Sequence, residues 1–197
     1  LYLLNKQFDD AITTLEPIYQ SGNHSLEVLR LLLIAYSTVG KLNEQIVVSQ
    51  ALTKDYPELH IGYEALSFAY LDAKENVNAL NILHKALNKF PNEITFPYTL
   101  ANIYYHSKNY SHAEKYFMIA LGINPQMFSI KLSLAIMFED MADTARSDSL
   151  FKKIIAQNDK DASGFNDYAY IISERNNSSH EELNYALDLA QRANTME

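Results

Sequence analysis

Histidines and carboxylates are the side chains here best able to carry chemistry, and their spacing decides whether they do. A histidine near neutral pH serves as a general base or as a metal ligand. The six are His24, His60, His84, His106, His112 and His180. No His-Glu-x-x-His pair occurs, so one helix face does not present two ring nitrogens to a single ion. His106 and His112 are separated by a predicted turn, a poor geometry for shared ligation. The histidines therefore read as isolated, partly exposed side chains. Asp9-Asp10, Glu139-Asp140 and Glu181-Glu182 are adjacent carboxylates. Neighbours in sequence point apart on a helix, so a shared proton is not expected and each pair reads as solvated surface.

Other chemistries are excluded more directly. The chain has no cysteine, which removes disulfides, zinc–thiolate sites and thiol nucleophiles. Its five glycines build no phosphate-cradling loop, and no Gly-x-Ser-x-Gly elbow is present. The sequence points away from an enzyme, and it implies no metal and no cofactor. Net charge is −8 with no basic face, only Lys152-Lys153, so nucleic acid is not an expected partner. No run approaches the about 18 apolar residues that a membrane-spanning helix needs. The longest such stretch is Leu31 to Tyr36.

The elements that position these residues follow from one period. Tyr2, Tyr36, Tyr70 and Tyr104 are spaced by 34 residues, and the series continues through Phe138 and Ile172. Pro57, Pro91 and Pro125 share that spacing. So do Leu32, Leu66, Leu100 and Leu134, followed by Tyr168. Small residues keep the same register at Ser67, Ala101, Ala135 and Ala169. Within a period, Leu59–Asp72 carries apolar residues three and four apart, as an amphipathic helix requires. Asn76 is expected in the turn, and Val77 to Phe90 forms a second helix. Pro91 cannot continue it. A hairpin of this kind buries its apolar face only by stacking on its neighbours.

This layout resembles the tetratricopeptide repeat over nearly the whole chain. One unit shows Tyr63, Leu66, Ser67, Tyr70, Ala79, Leu83, Ala86 and Pro91. The next shows Leu100, Ala101, Tyr104, Ala113, Phe117, Ala120 and Pro125. Pro97, Gln45 and Ser49 depart from the pattern and are expected to weaken packing locally. The resemblance implies an all-α fold, a right-handed superhelical solenoid of antiparallel helix pairs. Residues 1–25 would be a truncated repeat, in which Leu1 to Leu4 ends a first helix. Full repeats would follow at 26–59, 60–93, 94–127, 128–161 and 162–197, together one array. The last has a longer turn at Arg175 to His180, and Asp159 stands where a proline was due. The register tyrosines are expected in the core. Asn166–Tyr170 and the Tyr185–Ala193 stretch resemble late repeats of bacterial members. Polar end caps are not evident, so further sequence is expected, on the N-terminal side at least. Localisation is not readable.

In that family, peptides lie on the concave face lined by the first helices. Carried onto this chain, the facing positions are Arg30 and Ile34, Glu64 and Phe68, then Tyr98, Asn102 and Tyr105, Leu132 and Ile136, and Asn166 and Tyr170. The stripe is apolar and aromatic with scattered amides, as interaction surfaces often are. Arg30 has no accompanying lysines, so a carboxylate clamp for a partner's C-terminus is not expected. The function implied is a non-catalytic scaffold that binds a protein or peptide in the groove. The alternative is a regulatory or targeting region of a larger enzyme or transcription regulator. Self-association through terminal helices is a third possibility.

Overall fold

The computed structural model describes residues 7–158 and 162–196. Tyr2, the Leu1 to Leu4 helix end and Asp159 lie outside them. The described residues form eleven helices and no strand: α1 Phe8–Gln20, α2 Leu26–Val39, α3 Leu42–Asp55, α4 His60–Asp72, α5 Asn76–Lys89, α6 Thr95–His106, α7 Tyr110–Ile123, α8 Phe128–Asp140, α9 Thr144–Gln157, α10 Ala162–Glu174 and α11 His180–Asn194. The chain divides into two compact units, Leu1–Leu100 and Ala101–Glu197. The boundary falls inside α6.

The period of 34 is set where one helix stops and the next starts. Gly40, Lys74, Lys108 and Ala142 share one register position, and all four adopt the left-handed conformation, with φ between 57° and 74°. The chain leaves α4 through a Schellman turn, in which Lys74 N–H donates to the Leu71 carbonyl and Glu75 N–H to that of Tyr70. The same pairs recur from Lys108 to Tyr105 and from Asn109 to Tyr104. They recur again from Ala142 to Glu139 and from Asp143 to Phe138. The residue that closes each turn is also the N-cap of the following helix: Lys41, Glu75, Asn109 and Asp143. Asn109 and Asp143 cap with their side chains, accepting from the backbone N–H of His112 and Arg146. Asn76 is thus the first residue of α5 rather than a turn residue, because Glu75 already occupies the cap.

Each unit has its own core. In the first, Ile12, Leu29, Leu32, Tyr36, Val48 and Leu52 form a buried cluster. In the second, Phe151, Ile154, Phe165, Tyr168, Ile172 and Leu189 do so. Phe151 and Tyr168 stack with ring centroids 4.8 Å apart. The register tyrosines are less uniform than the spacing implies. Tyr36, Phe138 and Ile172 are buried, but Tyr70 and Tyr104 are only half-buried. Tyr70 keeps its hydroxyl at the surface, where it accepts from Gln50 Nε2 at 2.9 Å. Tyr104 stacks on His112 and on Tyr116.

The departures from the pattern are absorbed locally. Ser49 is fully buried, and its hydroxyl donates to the Gln45 carbonyl at 2.7 Å. Pro97 is buried in the first turn of α6, where a backbone N–H has no helical acceptor and its loss costs nothing. The last hairpin breaks the rule of the turn. Five residues, 175–179, join α10 to α11, where three join α8 to α9. Ser147 is the fourth residue of α9 and Ala186 the seventh of α11. The insertion therefore lengthens the turn and also starts the helix earlier.

Left-handed backbone costs an ordinary residue roughly 1–2 kcal/mol. Ala142→Gly is expected to stabilise the second unit by about 0.5–1 kcal/mol after glycine's greater chain entropy is subtracted. Gly40→Ala is expected to destabilise the first unit by about 1 kcal/mol. Urea titration followed by circular dichroism checks both signs.

Candidate functional site

The eleven stripe residues occupy two register positions of the first helices, joined by Tyr105. Arg30, Glu64, Tyr98, Leu132 and Asn166 share one, and Ile34, Phe68, Asn102, Ile136 and Tyr170 the other. In the first unit, Ile34 on α2 is 48% exposed and Phe68 on α4 is 39% exposed. Arg30 beside Ile34 is exposed, and Glu64 and Tyr98 are half-buried. In the second unit, Tyr170 on α10 is 63% exposed. Asn166 is exposed there too, while Asn102, Tyr105, Leu132 and Ile136 are half-buried. The neighbouring positions Leu32, Ala35, Leu66, Ala69, Leu134 and Tyr168 are buried.

Glu64 and Tyr105 of the stripe are engaged within the chain, as are Tyr98 and Asn102. Glu64 lies 3.7 Å from His60 Nδ1, which is also 3.8 Å from Glu93. Tyr105 donates its hydroxyl to Asp140 at 2.5 Å. Burial, then that carboxylate, pushes the Tyr105 phenol above its ordinary range.

The histidines are partly exposed, yet His24, His60 and His112 are not isolated. His24 contacts Asp55 at 3.0 Å and stacks on Tyr19. His112 contacts Asn109 at 2.9 Å. Among the described residues no cluster of three His, Cys, Asp or Glu side chains could hold a metal.

Asp9-Asp10 is exposed as expected, but Glu139-Asp140 is a correction. Glu139 is not solvated surface but a partner of a buried guanidinium. Arg175, the first residue of the inserted turn, is only 11% exposed at its side chain. Its Nε donates to Glu139 Oε2 at 3.1 Å, and its Nη2 donates to Glu139 Oε1 and to Asp148 Oδ1 at 2.6 Å. Glu182 Oε1 is 3.9 Å from Nη1. Burial works against the charge, but the bonds to Glu139 and Asp148 prevail and hold its pKa above the ordinary value. Burial, then the same Asp148, pushes the Tyr168 phenol upward. One side chain thus ties α8, α9 and α11 to the turn. The clue in the sequence was the break in the period, since Arg175 opens the inserted residues.

Glu182 has a second task. It accepts from the Ser179 backbone N–H at 2.7 Å, while Ser179 Oγ accepts from the Glu182 N–H at 3.2 Å. This capping box starts α11. Around the turn lies a cleft of about 570 Å³ lined by Glu139, Glu174, Arg175, Asn176 and Glu182. A guanidinium cannot give up its proton, and Glu139 is committed to it. The network fastens the last hairpin.

Register, helix pairing and turn geometry together decide the architecture. The fold is that of the tetratricopeptide repeat. MamA from Desulfovibrio magneticus superposes with a TM-score of 0.69 at 10% identity, covering 86% of this chain and 93% of that one. Yeast Tom70 gives 0.72 at 18% identity over 98% of this chain and 40% of its own. PilF of Pseudomonas aeruginosa gives 0.67 at 16% identity, covering 87% and 76%. All three are tetratricopeptide-repeat proteins. No family model matches the sequence, and no curated protein matches it. No helix among the described residues is long and apolar enough to cross a membrane.

Hydrogen bonds from the Ser179 backbone N–H and hydroxyl hold the Glu182 pKa below its ordinary value. A lowered folded-state pKa stabilises the fold above the unfolded value of about 4.3, and that gain is lost as pH falls through the folded one. Glu182→Gln is therefore expected to lower Tm at neutral pH. The gap to the unmodified chain should close on acidification below the ordinary carboxylate range. Thermal melts across pH check this.

Proposed function

We propose that this chain is a non-catalytic protein–protein interaction scaffold, and that each unit holds a partner segment against its first-helix stripe. The exposed apolar side chains at one register position, Ile34, Phe68 and Tyr170, carry the reading. Large apolar groups left in water at a repeated position mark a surface that something else covers. The exposed flanking amide of Asn166 offers both a donor and an acceptor to a partner's backbone. The tetratricopeptide fold supports the same reading, since its stacked hairpins present extended surfaces for binding. The engaged hydroxyl of Tyr105 makes its ring, rather than its polar tip, the part available to a partner.

The test uses paired variants, Ile34→Ser with Phe68→Ser and Ile136→Ser with Tyr170→Ser. Exposed changes are expected to alter stability by less than about 0.5 kcal/mol, which circular dichroism checks; the half-buried Ile136 makes the second pair the more sensitive. Proteins captured from native extract by the unmodified chain are then quantified on each variant. Loss of a captured protein of about tenfold or more on either variant is the expected result, as truncated anchors usually cost. Undiminished capture on both would move binding off the stripe and overturn the reading.

A further inference from the structure

A second surface lies in the second unit, and none of the stripe residues lines it. Helices α7, α8 and α9 each contribute one helical strip to a groove of about 420 Å³. Leu134 and Phe138 of α8 form its buried floor. Met118 on α7 and Leu150 on α9 are among its walls. Met118 is exposed, and its flexible thioether suits an adaptable contact.

The charge in this groove is unusual. Lys131, on α8, is 8% exposed. Its register position holds Leu29, Tyr63, Pro97 and Phe165 in the other repeats, all apolar and buried. A buried cation where the repeat demands an apolar residue costs stability unless something compensates it. Its Nζ donates to the neutral amide oxygen of Gln157. Among the described residues no carboxylate pairs with it. Lys153, one of the groove's walls on α9, adds a second amine. Burial and Lys153 together depress the Lys131 pKa. Arg146, by contrast, is already neutralised, by Glu114 at 2.8 Å and Asp143 at 2.6 Å, while its guanidinium lies 4.1 Å from the Phe138 ring centroid. The groove thus presents two amines that no carboxylate pairs with among the described residues, beside an apolar floor, in a chain of net charge −8. The same register in the first unit is chemically opposite. There Glu16 and Glu44 stand where Met118 and Arg146 do.

We propose that the α7–α8–α9 groove binds an acidic segment of a partner protein, which inserts an apolar side chain over Leu134 and Phe138 and sets a carboxylate against Lys131 and Lys153. The apolar floor supplies affinity, and the paired amines select the charge. Retaining Lys131 sacrifices stability for binding, a trade seen at functional positions.

The probes are labelled peptides with one Leu or Phe anchor, flanked in turn by Asp or Glu and by their Asn or Gln counterparts. Fluorescence anisotropy on the full chain measures binding. Acidic peptides are expected to bind, with affinity falling as salt rises, and their amide counterparts about tenfold or more weakly. Lys131→Met should melt at a higher temperature yet lose about tenfold or more in affinity. Lys153→Gln, at an exposed position, should weaken binding without touching the core. Ile34→Ser with Phe68→Ser should leave it unchanged, which separates this site from the stripe. Equal binding of acidic and amide peptides, or indifference to both lysine changes, overturns the proposal. Lys131-dependent binding of dodecanoate with no peptide bound would assign the groove to a lipid anion instead. Lys131-dependent self-association in sedimentation would assign it to a second copy. Either result also overturns it.

Discussion

The left-handed residue at the end of four of the first helices, α2, α4, α6 and α8, is the constraint on which the repeat rests. It reverses the chain in two or three residues and satisfies the last carbonyls of one helix. It also delivers the next residue to the N-cap of the following helix. Because the turn is so short, the two helices of a hairpin meet at a fixed register. Only then do positions one period apart become equivalent, so that Leu29 and Phe165 are core while Ile34 and Tyr170 are not. Three non-glycine residues tolerate this backbone, which shows how firmly the flanking helices impose it.

The spacing made the architecture legible. Proline, leucine and tyrosine series in one register place Leu59–Asp72 and Val77–Phe90 within a residue of α4 and α5, while the register slips at α11. What the spacing could not convey was depth of burial. Tyr36 and Tyr70 are equivalent in register, yet only the first is buried. The difference lies in what faces them from neighbouring helices, which a single helix pattern does not encode. Glu139 was unreadable for the same reason, since its partner Arg175 is 36 positions away. The stripe residues were legible only by family resemblance. Lys131 was legible in principle, as the one charged residue in an apolar register series.

The second unit contains two cations withdrawn from water, and they are treated in opposite ways. Arg175 is surrounded by carboxylates from three directions, with a planar fork that suits them. Such an arrangement is complete in itself and holds elements together. Lys131 meets a neutral amide and a like charge. An incomplete charge of that kind invites a counterpart from outside. The contrast separates a structural cation from a recognition cation without reference to any partner.

The two kinds of turn also bear on how such a chain can change over generations. The first four turns are self-contained: each is closed by its own backbone and its own cap. A segment of one period could be duplicated or deleted there with its stop signal intact. The last turn is different, because Arg175 draws Glu139 and Asp148 from the preceding repeat. The last two repeats are therefore coupled through that turn, since loss of residues 128–157 would strip Arg175 of two of its three carboxylates.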